Sequence, residues 1–193
     1  IKGTIRFYGT PAEEGGSGKV YMARAGLFND VDVALHWHPG SVSHARPRTS
    51  NANKSAKFTF KGISAHAASA PEQGRSALDG VESMNMMVNL MREHIPQDSR
   101  IHYVITKGGL APNVIPDEAQ VYYYVRHPKR KMVAKLFERV ALAAKGAAMG
   151  TGTEVSYEVM HGNYPLMPNE TIQRIMHEKL SDRGGITYSS SEV

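Results

Sequence analysis

Two adjacent carboxylates stand in a glycine-rich stretch near the start of the chain, GTPAEEGGSGKV at residues 9–20. Because neighbouring residues of an extended loop point in different directions, Glu13 and Glu14 could perform two separate tasks. One carboxylate could ligate a divalent cation such as zinc, and the other could act as general base toward a water molecule beside it. Taken alone, the pair is more typical of a solvated acidic turn.

Two histidines downstream strengthen the metal interpretation. The segment DVDVALHWHPG at 30–40 predicts a strand over 30–37, with His36 and His38 at its carboxyl end. Open α/β sheets bind their ligands beyond the carboxyl ends of strands, and imidazole is the commonest zinc ligand. Alternate residues of a strand point to opposite faces, so we expect only one of the two histidines to ligate.

A regular alternation of strands and helices follows these residues. Its elements are a strand at 56–62, a helix at 75–95, strands at 100–108 and 118–127, a helix at 128–150 and a strand at 153–162. The order β-α-β-β-α-β predicts a ferredoxin-like unit over 54–163 within an α+β chain. In this unit Phe58 and Phe60 face the core, whereas Tyr122–Tyr124 are interpreted as sheet surface.

The flanking segments, 1–52 and 165–193, are interpreted as pieces of a second domain. They predict a strand at 3–9, a helix at 18–28 capped by Ser17, and a helix at 169–182. Because Ile1 is not a natural start, we expect the protein to continue upstream.

Composition narrows the class of protein. The chain has 193 residues, a net charge of +5 and no cysteine, which excludes disulfides and thiolate metal sites. Basic residues are scattered without interleaved aromatic residues, and no apolar run approaches the ~20 residues of a membrane span. We therefore expect no nucleic-acid or membrane partner and a cytoplasmic protein.

Five motifs together resemble one family. They are PAEEGGSGK, DVALHWHPG, FKGISAHAA, APNVIP and YYYVRHP, in this order along nearly the whole chain. They resemble the co-catalytic zinc amidohydrolases and exopeptidases, which include aminoacylases, acetylornithine deacetylase and glutamate-releasing carboxypeptidases. Amidohydrolases of aminobenzoyl-glutamate are the most similar branch. The resemblance implies an α/β catalytic domain with two zinc ions, or manganese or cobalt, into which a ferredoxin-like lid or dimerisation domain is inserted.

The resemblance also implies roles for the acidic pair and the histidines. Glu13 resembles the general base and Glu14 a zinc ligand. In the family another metal ligand lies six residues after an aspartate. The residue six positions after Asp32 is His38. His36 remains the competing ligand.

Three residues of the ferredoxin-like unit resemble substrate-contacting groups. His66 resembles a histidine that reaches the active site of a dimer partner and polarises the scissile carbonyl. Asn113 resembles a polar group near the substrate carboxylate, and Arg126 an arginine that binds this carboxylate with its two-pronged guanidinium. The simpler interpretations are a loop histidine, a turn asparagine and a surface ion pair.

The resemblance predicts a metallopeptidase or amidohydrolase that cleaves an amide bond beside a free carboxylate and acts as a homodimer. Its substrate would be an N-acyl amino acid, aminobenzoyl-glutamate or a dipeptide. The family's upstream zinc histidine and aspartate, its bridging ligand and its downstream histidine have no counterpart here. We therefore expect a fragment with weak metal binding and little activity by itself. The alternative is a non-catalytic dimerisation or ligand-binding module.

Overall fold

The computed structural model describes residues 2–192. Within them lie four α-helices and four strands. The helices are α1 (Gly18–Arg24), α2 (Ala77–Met91), α3 (Arg130–Thr151) and α4 (Glu170–Arg183). The strands are β1 (Ala52–Lys61), β2 (Arg100–Lys107), β3 (Glu118–His127) and β4 (Glu154–Asn163).

The four strands form one antiparallel sheet in the order β2-β3-β1-β4. Helices α2 and α3 pack together on one face of this sheet. The other face, here called the open face, carries the even-numbered side chains of β3, which are half-buried. This arrangement confirms the predicted ferredoxin-like unit.

Alternation along the central strands forms the core between the sheet and the helices. Phe58 and Phe60 of β1 are fully buried, as predicted. Tyr123 is also fully buried: its ring meets that of Phe58 edge-on, and its hydroxyl donates to Oδ1 of Asn85 at 2.5 Å. The interpretation of Tyr123 as sheet surface is therefore wrong, because the odd-numbered residues of β3 point toward the helices.

Local signals set the ends of the two packed helices. The side chain of Ser76 accepts the N–H of Asp79 at 3.1 Å and caps α2. Helix α3 ends at Thr151, and Gly152 after it has a φ of 65° that suits glycine and an N–H that bonds to the carbonyl of Ala148. Helix α3 begins at Arg130 rather than at the predicted residue 128, because Lys129 before it has an extended backbone.

The flanking segments differ from the prediction. Residues 3–9 and 30–37 form no strand with any residue in the range 2–192, and Ile5 and Trp37 are 97% and 82% exposed. A strand needs a neighbour for its backbone N–H and C=O groups, which an alternating pattern alone does not provide. Helix α1 ends at Arg24 instead of residue 28.

The predicted side-chain cap of α1 by Ser17 is wrong. A capping residue normally has an extended backbone, whereas Ser17 has a left-handed one with φ of 51° and makes no side-chain cap hydrogen bond. The division of the chain into a unit at 54–163 and two pieces of a catalytic domain, at 1–52 and 165–193, stays a prediction. None of the helices found between residues 2 and 192 is long and apolar enough to cross a membrane.

Candidate functional site

The two glutamates lie in a tight turn, here called the acidic turn (residues 11–18). Residues 13–16 form the turn itself, and the N–H of Gly16 donates to the carbonyl of Ala12 at 3.0 Å. Both carboxylates are exposed. A glycine is required at the end of the turn, because a Cβ on Gly18 would lie 2.1 Å from the carbonyl oxygen of Pro11.

The acidic turn also contains two strained residues. Ala12 and Ser17 have positive φ values of 56° and 51°. A left-handed conformation costs a non-glycine residue roughly 1–2 kcal/mol. Such strain concentrates at functional sites, so it agrees with a functional role for the glutamates between these residues.

His36 and His38 lie in an exposed segment without regular structure. Nδ1 of His38 lies 2.9 Å from the carbonyl oxygen of Pro39. A carbonyl only accepts, so Nδ1 carries the proton and Nε2 keeps its lone pair for a metal or another donor. Histidines that bind metals commonly donate their second N–H to a carbonyl in this way.

The residues present do not form a complete metal site. Among residues 2–192, no group of three or more histidine, aspartate or glutamate side chains is arranged to hold a metal ion. Glu14 and His38 would therefore supply at most part of a ligand set.

His66 and Asn113 lie on two loops that are joined by backbone hydrogen bonds. His66 forms an isolated β-bridge with Val114, and the N–H of Ala67 donates to the carbonyl of Asn113 at 3.0 Å. Both side chains are exposed. The structure therefore brings these two predicted residues together.

The ring of His66 is oriented by its own loop. Its Nδ1 accepts the backbone N–H groups of Ala68 and Ser69, each at 3.2 Å. In the neutral ring the proton then lies on Nε2, at the exposed edge. A fixed N–H donor of this kind suits a developing negative charge on a carbonyl oxygen.

Arg126 lies on the open face, near the end of β3. Its guanidinium carbon is 5.2 Å from the centre of the Tyr124 ring. Its Nε is buried and has no hydrogen-bond partner among the residues that the structure describes. No acid forms an ion pair with Arg126 in this part of the chain.

A chain of hydroxyl groups connects Tyr124 with a histidine on β4. The hydroxyl of Tyr122 donates to that of Tyr124 at 3.4 Å, and the hydroxyl of Tyr124 lies 3.0 Å from Nε2 of His161. Burial, with the hydrogen bond from Tyr122, raises the pKa of Tyr124 to about 12. The charge of Glu14 adds to this rise.

Two histidines of the open face have lowered pKa values. Burial and then the charge of Arg126 lower the pKa of His161. Burial and then Arg126, Arg92 and Arg100 lower the pKa of His102. Both rings are therefore biased toward the neutral form beside a permanent positive charge.

The predicted substrate-contacting residues lie at opposite ends of the sheet. The loop that carries Asn113 precedes Glu118, the first residue of β3, whereas Arg126 is next to its last. The eight steps from Glu118 to Arg126 span about 26 Å at the rise of a strand. The structure therefore does not bring His66 and Asn113 to Arg126 within one chain.

Sequence reasoning missed Tyr124, His102 and His161. The period-two pattern of β2 and β3 could have identified Tyr124 and His102, because they share the open face with Arg126. His161 could not be found in this way. An irregularity in the pairing of β1 with β4 at Ser55 shifts the register, and it aligns His161 with Ser55 on the open face.

Comparisons with known proteins agree with the resemblance predicted from the motifs. The chain is 44% identical over 192 residues to one of the p-aminobenzoyl-glutamate hydrolase subunits of Escherichia coli, covering 99% of this chain and 40% of that protein. It is 31% identical over 186 residues to the human Xaa-Arg dipeptidase, covering 96% of this chain and 42% of that protein. The chain thus spans about two fifths of the length of these relatives.

Solved structures share the fold. An aminobenzoyl-glutamate utilization protein from Klebsiella pneumoniae aligns with a TM-score of 0.70 at 24% identity, covering 92% of this chain and 46% of that one. A hydantoinase/carbamoylase family amidase from Burkholderia vietnamiensis aligns with a TM-score of 0.62 at 20% identity, covering 73% and 34%. The model of the peptidase dimerisation domain matches residues 49–150, more than half of the chain. The chain therefore belongs to the peptidase dimerisation domain family, and the matched residues include β1, α2, β2, β3 and α3 up to residue 150.

Proposed function

We propose that this chain is the central part of a metal-dependent amidohydrolase that cleaves an amide bond beside a free carboxylate. The observation that carries the proposal is Arg126, a half-buried guanidinium on the open face without an acid partner among residues 2–192. A guanidinium binds a carboxylate through two parallel hydrogen bonds, so Arg126 suits the free carboxylate of such a substrate. The relatives named above are hydrolases of aminobenzoyl-glutamate and of dipeptides, which agrees with this substrate class.

His66 is the proposed contact to the scissile carbonyl, and Asn113 is the proposed polar group near the substrate carboxylate. The Nε2–H of His66 donates to the carbonyl oxygen as negative charge develops there. Asn113, on the adjoining loop, contributes a polar group to the substrate. The hydrogen bonds from the backbone N–H groups of Ala68 and Ser69 to Nδ1 fix the orientation of the His66 ring, so that Nε2–H is the free donor.

Glu13 is the proposed general base, and it accepts a proton from the attacking water. Glu14 and His38, with His36 as the alternative, are the residues of this chain that would contribute to a zinc site. The remaining ligands of two zinc ions, or of manganese or cobalt, would come from outside the described residues. The proposal includes a cytoplasmic location for the complete protein.

A second copy of the chain is the proposed partner. In a symmetric dimer that pairs β2 with β2 antiparallel, residue 107 of one copy lies near residue 100 of the other. Arg100 is the register partner of Arg126, whereas residue 107 adjoins the end of the sheet that carries His66 and Asn113. Such pairing would therefore bring His66 of a second copy toward Arg126 of the first.

The proposed interface uses the edge of β2 rather than that of β4. Tyr103, Val104 and Ile105 are exposed apolar residues in the middle of β2, a stretch without charged side chains at neutral pH. By contrast, Glu158 stands in the middle of β4 and would bring a charge into the centre of an interface between two β4 strands. Met86 and Leu90 of α2 are also exposed apolar residues.

The second candidate function is a dimerisation module without catalysis of its own. It is favoured by the match to the peptidase dimerisation domain over residues 49–150. Both candidates predict a dimer, so only a measurement of hydrolysis separates them.

Glu13→Ala in the complete protein tests the catalytic proposal. We expect turnover of N-acyl amino acids to fall by about 10²- to 10⁴-fold, the contribution typical of a general base, while the bound zinc stays unchanged. Glu14→Ala is the matched comparison and is expected to reduce the zinc content as well. Full turnover in Glu13→Ala would remove the assignment of the base, and no turnover in the parent protein would favour the dimerisation module.

A further inference from the structure

The open face contains a closed series of hydrogen bonds that begins and ends at one histidine. Nε2 of His161 lies 3.0 Å from the hydroxyl of Tyr124, to which the hydroxyl of Tyr122 donates at 3.4 Å. The hydroxyl of Tyr122 also lies 3.4 Å from Oγ of Ser55, and Ser55 donates to the carbonyl oxygen of His161 at 3.5 Å. These four residues, here called the tyrosine network, connect β1, β3 and β4.

The hydrogen bonds of the tyrosine network have a defined direction at its histidine. Because Tyr122 donates to Tyr124, the hydroxyl proton of Tyr124 is left for Nε2 of His161. Nε2 can accept this proton only when the ring is neutral. Burial and then the charge of Arg126 lower the pKa of His161, which keeps the ring neutral at pH 7. His161 is therefore an acceptor that fixes the hydroxyl of Tyr124.

The guanidinium of Arg126 depends on Tyr124 for its orientation. Its Nε is buried without a hydrogen-bond partner, and no acid pairs with it, among residues 2–192. Its carbon lies 5.2 Å from the centre of the Tyr124 ring, which precedes it by two residues and shares its face of β3. A long side chain that is already held in place loses less conformational entropy when it binds a ligand.

We infer that His161 is a positioning residue, which fixes the hydroxyl of Tyr124 and thereby holds Arg126 in the orientation that binds the substrate carboxylate. This inference rests on the proposed function, in which Arg126 binds that carboxylate. In this role His161 acts through Tyr124 and needs no contact with the substrate. The simpler interpretation is ring packing alone, since the rings of His161 and Tyr124 meet edge-on with their centres 5.1 Å apart.

Substitutions can separate the hydrogen bond from ring packing. Tyr124→Phe keeps the ring and removes the hydroxyl, whereas His161→Leu removes the acceptor. His161→Gln is the conservative variant, because its side-chain oxygen can still accept from Tyr124. Tyr157→Phe is the matched control: it also removes one tyrosine hydroxyl, and Tyr157 lies on β4 like His161 but packs against Phe58 and Phe137.

The kinetic constants of the complete protein provide the first test, with p-aminobenzoyl-glutamate as the substrate. Arg126 binds a group away from the reacting atoms, so a loss of its orientation should raise KM and leave kcat unchanged. Tyr124→Phe and His161→Leu should each raise KM by about 3- to 10-fold, the factor that corresponds to one net hydrogen bond. His161→Gln and Tyr157→Phe should leave KM as it is. The double variant Tyr124→Phe/His161→Leu should be no worse than either single variant, because both remove the same bond.

The exchange of the Arg126 Nε–H with water provides a second test that needs no hydrolysis. NMR measures this rate at pH 7 on the 193-residue chain, and Arg126→Gln assigns the signal by its disappearance. Tyr124→Phe and His161→Leu should each accelerate the exchange by about 3- to 10-fold, since the buried Nε becomes accessible when the side chain loosens. His161→Gln and Tyr157→Phe should not change the rate.

Three results would overturn the inference. They are an unchanged exchange rate in His161→Leu, a His161→Gln variant as impaired as His161→Leu, and effects that add in the double variant. If the complete protein shows no turnover that depends on Glu13, the proposed function fails, and the exchange of the Arg126 Nε–H still decides whether His161 holds this side chain. Conversely, unchanged exchange together with turnover that depends on Glu13 would remove the role of His161 and keep the proposed function.

Discussion

The protonation of His161 is determined by the groups around it. It shares the open face with Arg126, and its Nε2 lies 3.0 Å from the hydroxyl of Tyr124. Burial first and the charge of Arg126 second lower its pKa below the ordinary 6.5. The folded protein therefore resists protonation of this ring, and that resistance links the stability of the fold to pH.

The direction of the linkage can be predicted. The unfolded chain takes up a proton at His161 near pH 6.5, whereas the folded chain does so only at lower pH. The stability contributed by the neutral ring is thus complete above about pH 6.5 and is lost as the pH falls through the folded pKa. We expect the free energy of unfolding, measured in urea, to decrease from pH 7.5 to pH 5, with His102 contributing in the same direction.

Arg126→Gln tests the cause of this shift. Removal of the guanidinium should raise the pKa of His161, measured by NMR titration of the imidazole, but not to 6.5, because burial is the larger cause and remains. Lys61→Gln, at the other end of the open face, should leave the titration as it is. A wild-type pKa at or above 6.5 would contradict the prediction, as would a titration that Arg126→Gln does not change.

At the residue scale, the sequence identifies side chains better than it identifies their neighbours. The motif resemblance selects His66, Asn113 and Arg126, and the first two do lie on adjoining loops. Period-two alternation is enough to relate Tyr124 to Arg126. The position of His161 depends on the register shift at Ser55, and no local pattern in the sequence encodes such an irregularity.

At the element scale, the glycines of the two packed helices differ in how much space surrounds them. Gly80 of α2 lies against β1, and a Cβ there would be 2.5 Å from Cδ1 of Phe60 and 3.1 Å from Oγ1 of Thr153. Gly146 of α3 is less restricted, because the nearest atom to its Cβ would be Sδ of Met87 at 3.7 Å. Close packing against the sheet, not helix propensity, therefore explains the glycine in α2.

Alanine at these two positions should have opposite effects on stability. Gly80→Ala should lower the free energy of unfolding by about 1–2 kcal/mol, because overpacking against the fully buried Phe60 exceeds the gain in helix propensity. Gly146→Ala should raise it by about 0.5–1 kcal/mol. Urea denaturation followed by circular dichroism measures both. A stabilising Gly80→Ala would show that α2 can move away from β1 at little cost.

The elements that the sequence predicts correctly are those that bury one face against a partner within the described chain. Strand β1 and helix α2 follow their patterns because Phe58, Phe60 and the apolar stripe of α2 meet in one core. The segments 3–9 and 30–37 have equally apolar patterns, but their backbones pair with no strand in the range 2–192. Pattern alone predicts that a strand is possible, whereas pairing decides whether it forms.

At the scale of the whole molecule, the separation of the candidate residues is the main constraint. His66 and Asn113 lie beyond one end of the sheet, and Arg126 lies near the other, about 26 Å along β3. A rigid sheet cannot close this distance. The proposed composite site between two antiparallel copies would resolve the separation without any distortion of the fold, and catalysis would then depend on assembly.

A single lysine on β2 should therefore convert the dimer into a monomer. Ile105 is 40% exposed on this edge, and Ile105→Lys would bring charge into the proposed interface, where edge pairing tolerates it poorly. Val159→Lys is the matched control, since Val159 is 45% exposed on β4, the opposite edge. Sedimentation velocity should show a monomer for Ile105→Lys and a dimer for the parent chain and for Val159→Lys. The reverse outcome would assign the interface to β4, and a monomeric parent chain would remove the second copy from the proposed site.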